Sequence, residues 1–207
     1  MEEQWLAWVK RMHAIASTGL HFGAGEFDRE RYEEMAAIAD AMLAHLTQNP
    51  VAEIAELFGD FGKGYATPKV DVRGAVIRDD AILLVQERAD QCWTLPGGYA
   101  DVGLSAAENV VKEIQEEAGL VVKAKRVFAL RHKAKHAYRA DVRDFYKVLF
   151  LCEAVDTAEP EPGLETLDAR FLARGDVPTL STPRTIELDI QQAWAHHDDP
   201  TLAVTFD

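Results

Sequence analysis

Residues 95–120 read LPGGYADVGLSAAENVVKEIQEEAGL, and this stretch decides how the chain can fold. The segment opens with a proline and two glycines, which favour a tight turn. Ser105 and Glu108 then have the spacing of a capping box, and Gly119 suits the left-handed residue that closes many helices. We therefore predict a turn followed by a helix from Ser105 to Ala118.

The predicted helix carries three glutamates, Glu113, Glu116 and Glu117, at spacings that place them on one face. Like charges so close destabilise a helix by roughly 0.2–0.5 kcal/mol per pair. A hard divalent cation such as Mg²⁺ or Mn²⁺ prefers oxygen ligands and would remove that repulsion. A glutamate-rich helix face is often only solvated, but the preceding glycine turn favours a site here. Glu108 is interpreted as a structural capping residue.

The spacing of this segment resembles the Nudix box: a glycine, five residues, a glutamate, seven residues, then Arg-Glu-apolar-x-Glu-Glu-x-Gly-apolar. The resemblance implies a Mg²⁺- or Mn²⁺-dependent hydrolase of nucleoside diphosphate derivatives. In the family, the glutamates that match Glu113, Glu116 and Glu117, with the carbonyl that matches Gly98, hold the metal. That metal neutralises the diphosphate and activates water.

Two positions depart from the box. Leu104 stands where the family has glutamate, and Lys112 stands where it has arginine. Lysine cannot reproduce the planar fork with which arginine orients carboxylates. Neither position is a principal metal ligand, so we expect hydrolysis to be retained.

Four further residues are candidates for contact with the substrate or the attacking water. Arg73 and Arg88 lie on predicted strand positions from which their guanidinium groups can donate to phosphates, with a surface role as the alternative. Glu165 resembles a family position that supplies a base or a further metal contact; the alternative is an ordinary loop carboxylate. Tyr138 lies in a loop that can border a nucleobase, and the neighbouring histidines are interpreted as surface residues.

The residues before about position 66 are predicted to be helical. The first helix has one apolar face, formed by Trp5, Val9, Met12 and Ile15. A second helix is predicted to open near Asp28, a good N-cap residue. Its apolar side comprises Tyr32, Met35, Ile38, Ala39, Met42 and Leu46. A short helix over Val51–Phe58 and a linker over Gly59–Pro68 are predicted to follow.

After the linker, β-rich runs alternate with helices. The predicted strands are Val70–Ile77, Ala81–Gln86, Trp93–Leu95, Val121–Arg131, Phe145–Val155 and Ala169–Leu172, and a last helix covers Thr182–His196. The first two strands, separated by Arg78-Asp79-Asp80, are predicted to form a hairpin-like pair. We therefore predict an α/β protein in which residues 67–207 form a Nudix mixed-sheet α/β/α sandwich. A small all-helical N-terminal domain, residues 1–66, precedes it.

The likeness extends over nearly the whole chain to a bacterial Nudix subfamily with an N-terminal helical module. Its members are ADP-ribose pyrophosphatases and hydrolases of X-linked nucleoside diphosphates, including CDP-choline pyrophosphatases. The resemblance implies a small nucleotide-derived substrate. It also implies a homodimer, in which the N-terminal module contributes to dimerisation and to the substrate pocket.

Composition narrows the class of protein further. The formal net charge of −13 argues against broad nucleic-acid binding, which needs a basic surface. No apolar run is long enough to span a bilayer, and the first residues do not resemble a signal peptide. Cys92 and Cys152 are interpreted as free thiols, which fits a reducing cytoplasm.

Two alternative functions stay open at the level of the sequence. One is removal of pyrophosphate from RNA 5′ ends, which the acidic charge disfavours without forbidding binding of a single terminus. The other is a non-catalytic nucleotide-binding module of the same fold, which the departures at Leu104 and Lys112 suggest. The intact Glu-x-x-Glu-Glu face favours an enzyme, because a binding module has no need for it.

Overall fold

The computed structural model describes residues 3–23, 25–47, 51 and 65–207. They belong to two compact units, one within Met1–Lys69 together with Ala140–Phe145, the other comprising Val70–Arg139 and Tyr146–Asp207. Of the predicted short helix over 51–58 only Val51 lies inside the described residues, and it is helical. Of the predicted linker over 59–68, residues 59–64 lie outside them.

The first unit is built on two helices, α1 (Gln4–Phe22) and α2 (Glu26–Thr47). Their shared core consists of Leu6, Val9, Ala39 and Leu43, with Val142 of the second segment packed against it. The predicted face of α1 is confirmed at Val9, but Ile15 is exposed. The buried stripe of α1 instead continues through His13 and Ala16, because successive contacts with a single neighbouring helix need only a narrow stripe.

Helix α2 also differs from its prediction. It begins at Glu26, so Asp28 lies in the first turn, where a carboxylate is favourable beside the positive end of the helix dipole. Three of the predicted apolar residues are exposed: Ile38, Met42 and Leu46. Among the described residues, the buried side of the helix is the one that carries Ala39 and Leu43, so the apolar face is wider than their packing requires.

The second unit is organised around a mixed sheet. Its strands are β1 (Lys69–Arg78), β2 (Ala81–Glu87), β3 (Trp93–Thr94), β4 (Val122–His132), β5 (Phe145–Ala154), β6 (Thr166–Ala173) and β7 (Thr205–Phe206). Among the described residues the strand order is β3-β2-β1-β5-β4-β7, and β6 pairs with β2. The sheet is mixed because β4 and β7 run parallel, whereas β2 and β6 run antiparallel.

Alternating side chains give the sheet two apolar faces. On one face, residues such as Val76 and Leu83 pack with Val110 and Ile114 of helix α3 (Ala106–Ala118). On the other, residues such as Ala75 and Leu84 pack with Ile190, Ala193 and Trp194 of helix α4 (Glu187–Asp198). This two-residue alternation is typical of a sheet covered on both sides, and the predicted α/β/α sandwich is confirmed.

The turn between β1 and β2 explains the predicted hairpin. Arg78 pairs with Ala81, so Asp79 and Asp80 form a two-residue turn, and both have positive φ (50° and 58°). Two positive φ values are the signature of a type I′ turn, which aspartate tolerates better than most residues.

Helix α3 forms where the sequence predicts it. Ser105 is its N-cap, and the side chains of Ser105 and Glu108 each accept the other residue's backbone N–H. Gly119 adopts the left-handed conformation (φ 68°) that closes the helix. The capping role predicted for Glu108 is therefore confirmed.

The C-terminal region departs from its prediction. Helix α4 begins at Glu187 rather than Thr182, because the Thr185 hydroxyl is held by the Leu95 N–H (3.1 Å) and by Thr94 (2.7 Å). Asp189 then accepts the Ile186 N–H and caps the helix. Strand β7, only two residues long, was not predicted. No helix within residues 3–23, 25–47 and 65–207 meets the length and apolarity needed to cross a membrane.

Candidate active site

The site is assembled around the turn that joins β3 to helix α3. Gly97 has a φ of 143°, and a Cβ there would lie 2.0 Å from the carbonyl oxygen of Val72. At Gly98 a Cβ would lie 2.8 Å from a carboxylate oxygen of Glu113. Position 97 therefore requires glycine, whereas a side chain at position 98 would displace the carboxylate of Glu113.

Two of the three box glutamates face this turn. Glu117 is buried, and its carboxylate accepts the Gly97 N–H at 2.8 Å. Glu113 is half-buried with its carboxylate against Gly98. The four-residue spacing on one helix thus brings both carboxylates to the same turn.

The electrostatics of this pair are unfavourable for two anions. Burial raises the pKa of Glu117 to about 7, and the nearby charges of Glu87 and Glu113 add to that effect. Burial also raises the pKa of Glu113, with further contributions from Glu116 and Glu165. Arg73 opposes both shifts without cancelling them. Ionisation of both carboxylates is therefore disfavoured in the absence of a further cation.

Glu116 is oriented differently from the other two. Its exposed carboxylate lies 2.8 Å from Lys112 Nζ, which also approaches Asp101 at 3.3 Å. Among the described residues, no cluster of three or more histidine, cysteine, aspartate or glutamate side chains has a geometry that could hold a metal ion. The roles of Gly98, Glu113, Glu116 and Glu117 as ligands stay predictions.

The loop before β6 brings Glu165 to the same end of helix α3. The Gly163 N–H and the Thr166 hydroxyl both bond to the Glu117 carbonyl oxygen, at 3.2 Å and 2.9 Å. These bonds satisfy a backbone group that the helix terminus leaves unpaired. Glu165, between them, is exposed, and its charge raises the pKa of Glu113 and of Glu87, each already raised by burial.

The two arginines predicted to contact phosphate occupy different environments. Arg73 is only 4% exposed and donates to both carboxylate oxygens of Asp71 and to the Leu95 carbonyl. Arg88 is exposed and donates to the carbonyl of Leu164, next to Glu165. Arg88 is thus the one of the two that a dissolved substrate can reach directly.

Tyr138 is not among the carboxylates. Its ring is buried, and its hydroxyl donates to both oxygens of Asp189, at 2.7 Å and 2.8 Å. Burial and the Asp189 charge raise the pKa of this phenol far above its ordinary value. Stacking of a nucleobase on Tyr138 stays a prediction and requires the ring to become accessible.

Sequence reasoning missed three charged residues near the site. Glu87 is buried at the end of β2, where its carboxylate lies 2.8 Å from Arg184. Asp71 and Lys147, also buried, form an ion pair at 2.6 Å. One signal was available: Asp71 and Arg73 alternate with apolar residues along β1, which places two charges on a face that is otherwise buried.

The residues present fit a hard divalent cation. Glu113 and Glu117 offer carboxylate oxygens at one turn, and because burial raises the pKa of both, a bound cation would stabilise their ionised forms. Mg²⁺ and Mn²⁺ take such oxygen ligands and commonly use only one or two carboxylates.

Comparison with known families agrees with this geometry. The NUDIX domain family matches residues 68–189. Residues 3–58 match a second family, described as the UDP-X-like N-terminal oligomerisation domain. The two matches cover both the region of the carboxylate site and the region that contains α1 and α2.

Individual relatives show the same pattern. A protein of Bacillus subtilis (strain 168), named "Putative ADP-ribose pyrophosphatase YjhB", is 38% identical over 100% of this chain and 99% of its own. A crystal structure of a UDP-X diphosphatase is 32% identical, with a TM-score of 0.63 over 98% of this chain and 97% of that one. A crystal structure of an ADP-ribose pyrophosphatase from Streptococcus suis 89-1591 is 38% identical, with a TM-score of 0.62 over 68% of this chain and 100% of that one.

Proposed function

The chain belongs to the Nudix hydrolase family, and we propose that it hydrolyses the diphosphate bond of a nucleoside diphosphate linked to another group. The reaction depends on Mg²⁺ or Mn²⁺ in this proposal. The observation that carries it is the placement of Glu113 and Glu117 against the Gly97–Gly98 turn, where burial raises the pKa of both carboxyl groups.

Glu113 and Glu117 would hold the cation, with Glu116 and the Gly98 carbonyl as further ligands. The cation, when bound, neutralises the diphosphate and lowers the pKa of a water molecule. The Gly98 carbonyl already accepts the Val72 N–H at 2.9 Å, and its second lone pair remains for a ligand role. The proposal requires Glu116 to separate from Lys112, which it contacts at 2.8 Å.

Water adds to one phosphorus, the bridging P–O bond breaks, and the products are a nucleoside monophosphate and a phosphorylated group. Glu165 is proposed to accept the proton of the attacking water, because it is exposed at the same end of helix α3. Arg88 is proposed to donate to a substrate phosphate, because its side chain is accessible beside Glu165. Charge-assisted bonds of this kind are well suited to phosphate.

The substrate class is proposed from the relatives' names. ADP-ribose and UDP-X derivatives are both nucleoside diphosphates esterified to a second group, and CDP-choline belongs to the same chemical class. The division of the chain into a helical module (1–66) and a catalytic domain (67–207) belongs to the same proposal, with the module forming a homodimer. The description of the family that matches residues 3–58 supports an oligomeric role.

A substrate screen in which the nucleoside monophosphate and the phosphorylated group are separated from the substrate by chromatography tests the function. We expect hydrolysis of at least one of ADP-ribose, CDP-choline and the nucleotide sugars with Mg²⁺ or Mn²⁺, and its loss on chelation. Dinucleoside polyphosphates and RNA with a 5′ triphosphate are tested in parallel. Turnover of the RNA alone favours the 5′ pyrophosphohydrolase, and binding of every nucleotide without turnover favours the non-catalytic module.

The two departures from the box give a second test. Lys112 Nζ already bridges Glu116 and Asp101, but as a point charge it cannot make two parallel bonds to one carboxylate. Restoring Leu104→Glu and Lys112→Arg together should raise turnover or metal affinity, measured by steady-state kinetics and Mn²⁺ titration. Lys112→Arg alone serves as the comparison. An unchanged or slower double variant would show that Asp101 and its neighbours have adapted to the present residues.

A further inference from the structure

Arg73 uses its hydrogen-bonding capacity inside the protein. Its Nε and Nη2 groups donate to the two oxygens of Asp71, both at 3.1 Å, and Nη1 donates to the Leu95 carbonyl at 3.2 Å. Three of the five N–H groups of the guanidinium are therefore committed to this chain. A buried guanidinium with these internal hydrogen bonds is poorly placed to donate to the phosphate of a substrate that binds from solvent.

The same side chain lies directly beneath the glycine turn. A Cβ at Gly97 would lie 2.9 Å from Arg73 Cα and 3.0 Å from Arg73 Cδ, so the backbone of the turn packs closely against this residue. The Gly97 N–H in turn holds the carboxylate of Glu117 at 2.8 Å. A short chain of contacts therefore leads from the guanidinium through Leu95 and Gly97 to the buried glutamate.

Asp71 is itself held by a second cation. Lys147, 1% exposed on β5, donates to Asp71 Oδ1 at 2.6 Å. One carboxylate is thus shared by two buried cations, and the bidentate bond to Arg73 leaves the guanidinium little freedom to rotate. Buried charged groups paired in this manner are costly to rearrange, because losing one partner leaves the other unpaired.

We propose that Arg73 is a positioning residue, which holds the Leu95–Gly98 turn and thereby the Glu117 carboxylate in the arrangement that binds the divalent cation. The Asp71–Lys147 pair keeps its guanidinium in place. This inference rests on the proposed metal-dependent hydrolysis and assigns Arg73 to the metal side of the site rather than to the substrate.

The test is the variant Arg73→Lys in the full-length protein, which keeps the positive charge but cannot make the fork. Groups that orient metal ligands typically change metal affinity or activity ~10- to 100-fold when they are replaced. We expect the Mn²⁺ dissociation constant, measured without substrate, to rise ~10-fold and kcat to fall to a similar extent. KM at saturating Mn²⁺ should stay within about twofold of wild type, since uniform substrate binding is unaffected.

Arg131→Lys is the matched control. Arg131 is buried to the same degree (3% exposed) and pairs with Asp189, but it has no bond to the glycine turn. It should leave the Mn²⁺ dissociation constant unchanged. An equal loss of Mn²⁺ affinity in both variants would overturn the proposal, because it would indicate general loosening. A raised KM with unchanged Mn²⁺ affinity in Arg73→Lys would overturn it in favour of direct phosphate binding.

Hydrogen exchange separates this inference from the proposed function. In the metal-free protein, Arg73→Lys should accelerate exchange of the backbone amides of Leu95, Gly97 and Gly98 by ~10-fold, and Arg131→Lys should not. If the wild type neither binds Mn²⁺ nor hydrolyses any nucleotide, the proposed function fails, while this readout still reports on the turn. Unchanged exchange in Arg73→Lys overturns the positioning role. Asp71→Asn replaces Arg73→Lys if the latter does not fold, with the same directions expected.

Discussion

Replacing Glu117 with glutamine is expected to reduce hydrolysis by a factor of at least ~100, the scale of losing one preorganised electrostatic contact. Glutamine keeps the shape of the side chain and can still accept the Gly97 N–H through its amide oxygen. What it loses is the negative charge that a hard cation requires. Initial rates on the substrate identified by the screen, at saturating Mg²⁺ or Mn²⁺, measure the effect.

The burial of Glu117 sharpens this expectation. A buried carboxylate whose pKa is raised to about 7 opposes its own ionisation, and a bound cation reverses that penalty. Replacing the carboxylate with an amide removes this penalty in the metal-free protein. The free energy of unfolding of Glu117→Gln, measured without metal, should therefore be at least as large as that of wild type. A loss of activity would then reflect the site rather than the fold.

Glu108→Gln is the control on the same helix. Glu108 is exposed at the first turn, and glutamine can replace glutamate in a capping box. This variant should keep its activity within about twofold, because glutamine preserves the capping box. Near-normal turnover in Glu117→Gln would contradict the role assigned to Glu117.

The sequence predicts the fold well where local signals agree with tertiary packing. The capping box at Ser105 and Glu108, the glycine at 119 and the apolar spacing of Val110 and Ile114 all specify the same helix, and α3 forms there. The hairpin at Asp79 and Asp80 is predicted for the same reason, since its turn residues match the required backbone. In both cases the information lies within a few residues of the element.

The sequence predicts less where an element is set by distant partners. The start of α4 depends on Thr185 bonding to Thr94 and Leu95, which are about ninety positions away. The exposed side of α2 depends on which apolar residues α1 covers, and periodicity alone cannot decide that when apolar residues are in excess.

The candidate site also contains residues that local spacing predicts and residues that only the tertiary fold brings together. The box glutamates were predicted from their spacing, but the buried groups behind them were not. Asp71 lies on β1 and Lys147 on β5, and only the fold brings their side chains within 2.6 Å. Arg73 was predicted from its residue type to face the substrate, whereas its partners lie within the protein.

The second prediction concerns the oligomeric state of the protein, which we expect the helical module to determine. Two exposed apolar rows lie on its helices: Ile38, Met42 and Leu46 on α2, and Trp8, Ile15 and Phe22 on α1. Contiguous apolar rows of this kind often mark an interface between proteins. A two-fold dimer is the commonest symmetric assembly, so we expect full-length protein at micromolar concentration to scatter light as two chains.

A single charge on one row should disrupt that assembly. Met42→Glu places an unpaired carboxylate at the proposed interface. Burying such a group costs on the order of several kcal/mol. The variant should therefore scatter light as one chain. Ala37→Glu adds the same charge on another exposed side of α2 and should remain a dimer. Dissociation by both variants would point to general repulsion rather than to the row that contains Met42.

Deletion of the module should have a larger effect than either substitution. A chain that begins at Thr67 loses α1 and α2, which together cover Val142 and pair Lys10 with Asp144 at 2.9 Å. The segment 140–145, which leads into β5, would then expose apolar surface and lose its ion pair. We expect this shortened chain to be monomeric and less stable to heat, with weaker substrate affinity, while Glu113 and Glu117 still bind Mn²⁺. A full-length protein that scatters light as a single chain at micromolar concentration would refute the dimer, whatever the shortened chain does.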